Sequence, residues 1–161
     1  MKQLDFEKNY NEVMERLKKE ETIVLATSYK DKVTARSVWF VLYESSIYFV
    51  TLKAYTKFKQ IEKNPNVALC LDNIQIEGIA AIKGYCSLKE NEPIKDYCVK
   101  NDNGMACYMK YKSTVLIEVK INKIGIWKNG REYIDLVEKK HIGYDSFSEI
   151  IGGKVELIRG Q

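Results

Sequence analysis

The sequence predicts a mainly β fold (β+α), an antiparallel β-barrel with flanking helices, built as a single domain over residues 1–161. Three observations carry this reading. At least six short apolar, β-branched segments alternate with brief polar turns. One short helical segment interrupts them after the third. An amphipathic helix precedes them all. Closing such a sheet on itself removes its exposed edges, which is why a barrel is expected rather than an open sheet.

Phe6, Tyr10, Val13, Met14 and Leu17 form one apolar stripe at a helical period, predicting a helix over 5–19. The Asp5 carboxylate suits its N-cap, because it can accept from the free first-turn amides. Strands are predicted over 22–28, 33–43 and 47–51, joined by polar turns at 29–32 and 44–46 as an antiparallel meander. A short helix follows over 56–63. Asn64-Pro65 ends it, since proline disfavours helical geometry in the residue before it. Two further strands are expected at 67–72 and 76–88, around a turn at 73–75. Residues 91–112 read as partly helical, with Asn91 as a cap and Pro93 in the first turn. In 114–126, Val115, Ile117, Val119 and Ile121 share one face at period two. Asn129-Gly130 marks a hairpin into 132–137. Residues 138–161 carry no clear pattern, and a cover over a ligand cleft is one expectation for them.

The composition is that of a globular chain: 45% hydrophobic, 30% charged and a net charge of +4. The lysines are interspersed among nearly as many acids, so no nucleic-acid partner is expected. No apolar run is long enough to span a bilayer, and residues 1–6 lack the apolar stretch of a signal peptide. The expectation is a cytoplasmic protein without a membrane partner. Cys70, Cys86, Cys98 and Cys107 form no CxxC pair and His141 is the only histidine, so no metal site is expected. The cysteines read as buried, reduced thiols.

A single histidine leaves little scope for a nucleophile–histidine pair, and neither a GxGxxG nor a GxxxxGK[ST] loop occurs. Any catalysis is therefore expected to draw its reactivity from a cofactor. Arg36 on the second strand of the meander, Thr51 ending the third, and Thr56-Lys57 opening the short helix can meet at one end of the sheet. A planar guanidinium fork, two hydroxyls, an ammonium and free helix N-terminal amides suit a phosphate. The same residues equally suit a set of surface charges and caps.

Several of these segments, in their order and spacing, resemble a known family. They are Ala26-Thr27-Ser28, Arg36-Ser37-Val38-Trp39-Phe40, Ile47-Tyr48-Phe49-Val50-Thr51, Lys57, and Gln60-Ile61-Glu62-Lys63-Asn64-Pro65-Asn66-Val67-Ala68-Leu69. Together they resemble the pyridoxamine 5′-phosphate oxidase-like, FMN-binding split-barrel superfamily. The Trp39-Phe40 pair is most similar to its general-stress-protein-26-type branch. The resemblance spans residues 5–88, weakens over 114–136 and is absent from the tail. It implies a split barrel that forms a homodimer with FMN at the interface. It implies that Arg36 and Lys57 hold the FMN phosphate, with Thr51 and Thr56 assisting. Ser37, Val38, Trp39, Phe40 and Val41, with Val50 opposite, would lie along the isoalloxazine ring. Asn73 falls where family oxidases often carry a flavin-contacting Gln, and Trp127 near a Trp that reaches the flavin from the other subunit.

Two departures bear on function. The stretch Trp127-Lys128-Asn129-Gly130-Arg131-Glu132-Tyr133 has no counterpart of the Arg-x-His substrate motif of dedicated pyridoxamine phosphate oxidases. Thr56 stands where those oxidases tend to carry a second basic residue. The resulting expectation is an FMN-dependent oxidoreductase with a small-molecule substrate or nicotinamide electron donor. The alternative is a barrel that binds or senses a flavin or haem-like ligand without turnover. Deazaflavins occupy similar barrels, so FMN itself rests on the resemblance. No catalytic residue is assigned.

Overall fold

The computed structural model of the chain describes residues 2–128 and 130–143. Nine strands form one sheet: β1 (Lys2–Leu4), β2 (Thr22–Tyr29), β3 (Lys32–Tyr43), β4 (Ser46–Leu52), β5 (Asn66–Leu71), β6 (Ile74–Tyr85), β7 (Thr114–Trp127), β8 (Arg131–Asp135) and β9 (Lys140–Gly143). Four α-helices accompany them: α1 (Phe6–Lys18), α2 (Thr56–Lys63), α3 (Glu92–Lys100) and α4 (Met105–Met109). The strand order β7-β4-β3-β2-β5-β6 closes on itself because β6 also pairs with β7, giving a six-stranded antiparallel barrel. The far half of β7 carries β8, β9 and β1 as an extension.

Inward-facing side chains follow the period of two. Leu25, Phe40, Phe49, Leu69, Ile76, Ile117 and Ile124 fill the barrel core. Helix α1 closes one side with Val13, Met14 and Leu17, and the Asp5 carboxylate caps it by accepting from the Lys8 amide at 3.2 Å. Helix α2 inserts Phe58 and Ile61 into the same core. A second cluster lies on the outside of the barrel, where α3 and α4 cover Val41 and Leu116 with Ile94, Cys98, Met105 and Met109. These outward positions are buried only because the chain between β6 and β7 folds back over them.

The structure moves several predicted boundaries. The turn expected at 73–75 sits at Asp72 and Asn73, with Asp72 in the left-handed region (φ 48°), so Gln75 belongs to β6. That strand ends at Tyr85, after Gly84 at φ 81°, rather than at residue 88. Asn91 makes no side-chain cap. It turns inward and donates to the carbonyls of Lys83 (3.1 Å) and Tyr85 (2.8 Å). All four cysteines are free, but only Cys86 and Cys98 are buried. Cys70 faces outward because its strand neighbours Leu69 and Leu71 take the core positions, and Cys107 lies on the exposed side of α4. Asn129 and residues 144–161 lie outside the described residues, so the hairpin turn and most of the expected cover do too.

A bulge between Glu77 and Gly78 lets β6 wrap against β7. A Cβ at Gly78 would meet Val119 Cγ1 at 2.6 Å and the Lys120 carbonyl oxygen at 2.7 Å. The backbone oxygen cannot swing aside, so Gly78→Ala is expected to lower stability by about 1–3 kcal/mol. Denaturant unfolding followed by circular dichroism checks this.

Candidate functional site

The barrel is open at one place. The ladder between β3 and β4 covers only Phe40–Tyr43 against Ser46–Phe49. Beyond the Phe40–Phe49 pair, β4 continues against β7 as far as Leu52, while β3 continues against β2. The two strands therefore part between residues 37–39 and 50–52. The Phe40 amide donates to the Glu21 carbonyl at 2.9 Å, on the β2 side. Strand alternation then turns the backbone N–H and C=O groups of Ser37 and Trp39 toward the gap, and those of Val50 toward it from β4, while the Leu52 carbonyl is taken up by the Tyr55 amide at 3.1 Å. The groups of Ser37, Trp39 and Val50 are donors and acceptors with no ladder partner on that side.

A groove of about 470 Å³ occupies the gap. Ser37, Val38, Trp39, Val50, Thr51 and Leu52 form its strand walls, Tyr55 and Lys57 come from the start of α2, and Tyr108 and Tyr111 from the α4 region. Its size is within the ordinary range for a small-molecule pocket. Among the described residues no carboxylate lines it.

Arg36 lies beside this groove. One guanidinium nitrogen (Nη1) donates to Thr27 Oγ1 at 2.7 Å and to the Leu25 carbonyl at 3.3 Å, and the other (Nη2) donates to Thr34 Oγ1. The hydroxyls of Thr27 and Thr34 in turn donate to Gln60 Oε1 of α2, at 2.6 and 2.7 Å, and Gln60 Nε2 donates to the Lys32 carbonyl at 3.1 Å. A hydroxyl has one proton. With it committed to Gln60, each threonine must present a lone pair to the guanidinium. Gln60 thus sets the polarity of the network and ties α2 to the strands that carry Arg36.

Lys57 stands close enough for the two cations to interact. Burial pushes the Lys57 ammonium below its ordinary range and the Arg36 charge pushes it further, while burial also lowers Arg36. Among the described residues neither has a carboxylate within ion-pairing distance. The Lys57 Nζ lies 4.7 Å from the centre of the Tyr55 ring instead. The first turn of α2 contains no acidic residue, and its N-cap Tyr55 offers no side-chain acceptor. Two partly desolvated cations and open helix amides therefore converge without a counter-anion.

The structure gathers Ser37, Val38, Trp39, Val50, Thr51 and Lys57 at the groove, with Arg36 beside it and Thr56 exposed at the start of α2. Phe40 and Val41 are elsewhere: Phe40 belongs to the barrel core and Val41 to the cluster under α3 and α4. Asn73 and Trp127 are held together by a hydrogen bond from the Asn73 amide to the Trp127 carbonyl. They sit at the opposite end of β7 from Thr114, up to roughly 40 Å along the strand. Trp127 is 47% exposed and stacks on the Arg131 guanidinium, 4.4 Å from the ring centre. Tyr55, Tyr108 and Tyr111 were not anticipated from the sequence. Tyr108 lies in α4 and Tyr111 in the turn just past its end, where the Tyr111 amide donates to the Tyr108 carbonyl at 3.3 Å.

Comparison with known proteins agrees with this geometry. The family model described as pyridoxamine 5′-phosphate oxidase matches residues 11–128. Among curated proteins, none matches the chain. Among solved structures, ChuZ of Campylobacter jejuni superposes with a TM-score of 0.71 at 18% identity, over 87% of this chain and 64% of that one. The General Stress Protein 26 of Bacillus anthracis superposes with a TM-score of 0.59 at 21% identity, over 84% of this chain and 99% of that one. A pyridoxamine 5′-phosphate oxidase-related, FMN-binding protein of Nostoc punctiforme gives a TM-score of 0.58 at 9% identity, over 88% and 96%. The haem storage protein HutZ of Vibrio cholerae shares the fold as well, with a TM-score of 0.59 at 11% identity over 76% and 95%, so the fold leaves the ligand open. The split barrel, its parted strands and the extent of the family match lead to one conclusion: the chain belongs to the pyridoxamine 5′-phosphate oxidase family.

Proposed function

We propose that the protein is an FMN-binding flavoprotein, an oxidoreductase that holds FMN at a homodimer interface and exchanges electrons with a small-molecule or nicotinamide donor. The observation that carries this reading is the uncompensated pair of cations, Arg36 and Lys57, at the start of α2 beside an open strand edge. A dianionic phosphate would supply the missing counter-charge and accept from the free first-turn amides. Thr51 and Thr56 stand at the same end for further contacts. The backbone of Ser37, Trp39 and Val50 would meet the polar edge of a planar ring, with Val38 lining the same groove. When bound, FMN supplies the hydride and electron transfer. The chain supplies the anchor, the orientation and an apolar wall that excludes water.

The outer surface supports the dimer. The exterior of the barrel around β4, β7 and the end of β3 is covered by α3 and α4, but among the described residues nothing covers the exterior of β2, β5 and the first part of β3. There Val24 lies between Ser37 and Cys70, and Ala26 between Ala35 and Ala68. Val24 is 41% exposed at the centre of this small-residue, apolar face, which is the kind of surface a partner covers. Asn73 and Trp127 lie too far from their own groove to serve it, so any role for them in flavin contact requires the partner's groove.

A second reading, a barrel that binds a flavin without turnover, is favoured by one feature. Among the described residues the groove lining contains no histidine and no carboxylate to act as acid or base. Haem ligated by histidine fits poorly, because His141 is fully buried between Glu132 (3.2 Å) and the Asp5 carbonyl (3.4 Å). Anaerobic mixing of the FMN-loaded protein with NADH or NADPH separates the two readings: bleaching of the flavin absorbance supports the oxidoreductase, and an unchanged spectrum with every donor tried supports the binding module.

Purified protein incubated with FMN and desalted is expected to retain a visible flavin spectrum; a colourless product would remove the proposal. Lys57→Ala is expected to weaken FMN binding by about 1.5–3 kcal/mol, read by fluorescence titration. Lys57 is the cleaner target, since Arg36 also holds β2 and β3 together. The depressed Lys57 ammonium gives a pH signature. Its charge is present at neutral pH and is lost, as pH rises, below the 10.5 of an ordinary lysine. FMN affinity should therefore fall as pH rises toward the ordinary lysine range, and Lys57→Arg should flatten that fall. Val24→Glu, placing a charge at the centre of the bare face, is expected to give a monomer in sedimentation equilibrium together with weaker FMN retention.

A further inference from the structure

Four aromatic side chains rim the groove, and the fold does not need their exposed faces. Trp39, Tyr55, Tyr108 and Tyr111 are 37%, 51%, 50% and 64% exposed. Two of them hang from the α4 region, which is not part of the barrel. That region is nonetheless fixed against the groove wall. The backbone of Gly104 lies so close to the Trp39 ring that a Cβ there would sit 2.7 Å from it. Asn103 donates from its amide to the Phe40 carbonyl at 3.1 Å and accepts from the Met105 amide at 2.9 Å. The segment between β6 and β7 is thus latched to β3 just where β3 parts from β4.

We propose that this latched segment is the substrate wall of the site, and that Tyr108 and Tyr111 select a planar, electron-poor conjugated ring, of the quinone class, as the second ligand. The proposal rests on the flavoprotein reading. The strand walls offer backbone groups that suit the edge of one ring, while the tyrosines offer faces. Tyrosine faces carry negative quadrupole density and stack best on flat, electron-deficient partners. Among the described residues Lys57 is the only formal charge in the groove lining, and the phosphate neutralises it in the loaded protein. Nothing then remains to recruit a strongly charged substrate, so shape and π-electron deficiency set the choice. The hydroxyls of Tyr108 and Tyr111 play no part.

The test uses the full chain, with and without FMN, in the absence of any electron donor. Duroquinone serves as the probe, because its fully substituted ring leaves no position for thiol addition at the exposed Cys107. Camphor serves as the saturated, non-planar control. Calorimetric titration is expected to show duroquinone binding the loaded protein and camphor binding at least about tenfold more weakly. The double variant Tyr108→Ala/Tyr111→Ala, compared with wild type at saturating FMN, should lose about tenfold in duroquinone affinity while its thermal melting stays near wild type. Tyr108→Phe/Tyr111→Phe should bind like wild type. Equal binding of camphor and duroquinone, an unchanged double alanine variant, or a loss in the phenylalanine variant each overturns the proposal. FMN titration of the same samples scores the flavin reading separately. A chain that takes up no FMN but still binds duroquinone through the two rings sinks the flavin reading and leaves the tyrosine assignment standing.

Discussion

Two like charges held side by side without an opposite one are the constraint around which this site is organised. Arg36 and Lys57 each lose hydration by burial, and the Lys57 ammonium is further disfavoured by the Arg36 charge. Such an arrangement costs folding free energy, so something must hold it. The hydrogen-bond chain from Gln60 through Thr27 and Thr34 to Arg36 does so. It spends every available hydroxyl proton on the glutamine and leaves the guanidinium facing lone pairs. The cations are thereby positioned in advance of any anion, and little reorganisation remains when one arrives.

The second organising feature is where the sheet parts. A barrel normally hides its strand edges by closing. Here β4 leaves β3 after four residue pairs and follows β7, so closure is incomplete along 37–39 and 50–52. The same parting creates the groove, exposes backbone donors and acceptors inside it, and brings the first turn of α2 to its end. Fold and site are therefore one construction. Among the described residues the barrel exterior divides too, into a part covered by α3 and α4 and a part with no cover.

Much of this was legible in the sequence. Strands with clean alternation, such as 22–28 and 114–126, announce themselves because one face must be buried and the other need not be. The short helix at 56–63 is bounded by Pro65, and meander geometry allows Arg36 and Lys57 to meet at one end of the sheet, though only the family resemblance singles them out as a phosphate-holding pair. Other features were not legible. Strands β1 and β9 are three and four residues long and exist through pairing with each other and with β8, a long-range contact that no local pattern encodes. Cys70 reads as buried within an apolar run, yet strand parity turns it outward. Phe40 and Val41 follow the groove residues in sequence, but alternation sends one into the core and the other under α3. Tyr108 and Tyr111 reach the groove from a segment some seventy residues beyond Trp39, and only packing of that segment on the Trp39 ring brings them there.

Helix α2 has two duties at once. Its Phe58 and Ile61 stop the end of the barrel, and its first turn forms the cationic end of the groove. An anion seated there relieves repulsion in the very element that keeps the core dry, so occupancy and global stability are thermodynamically linked, with a gain that grows with the logarithm of free ligand concentration. The steady-state abundance of the chain in a cell would then track the supply of its cofactor, through turnover of the opened form by proteases, with no separate regulator.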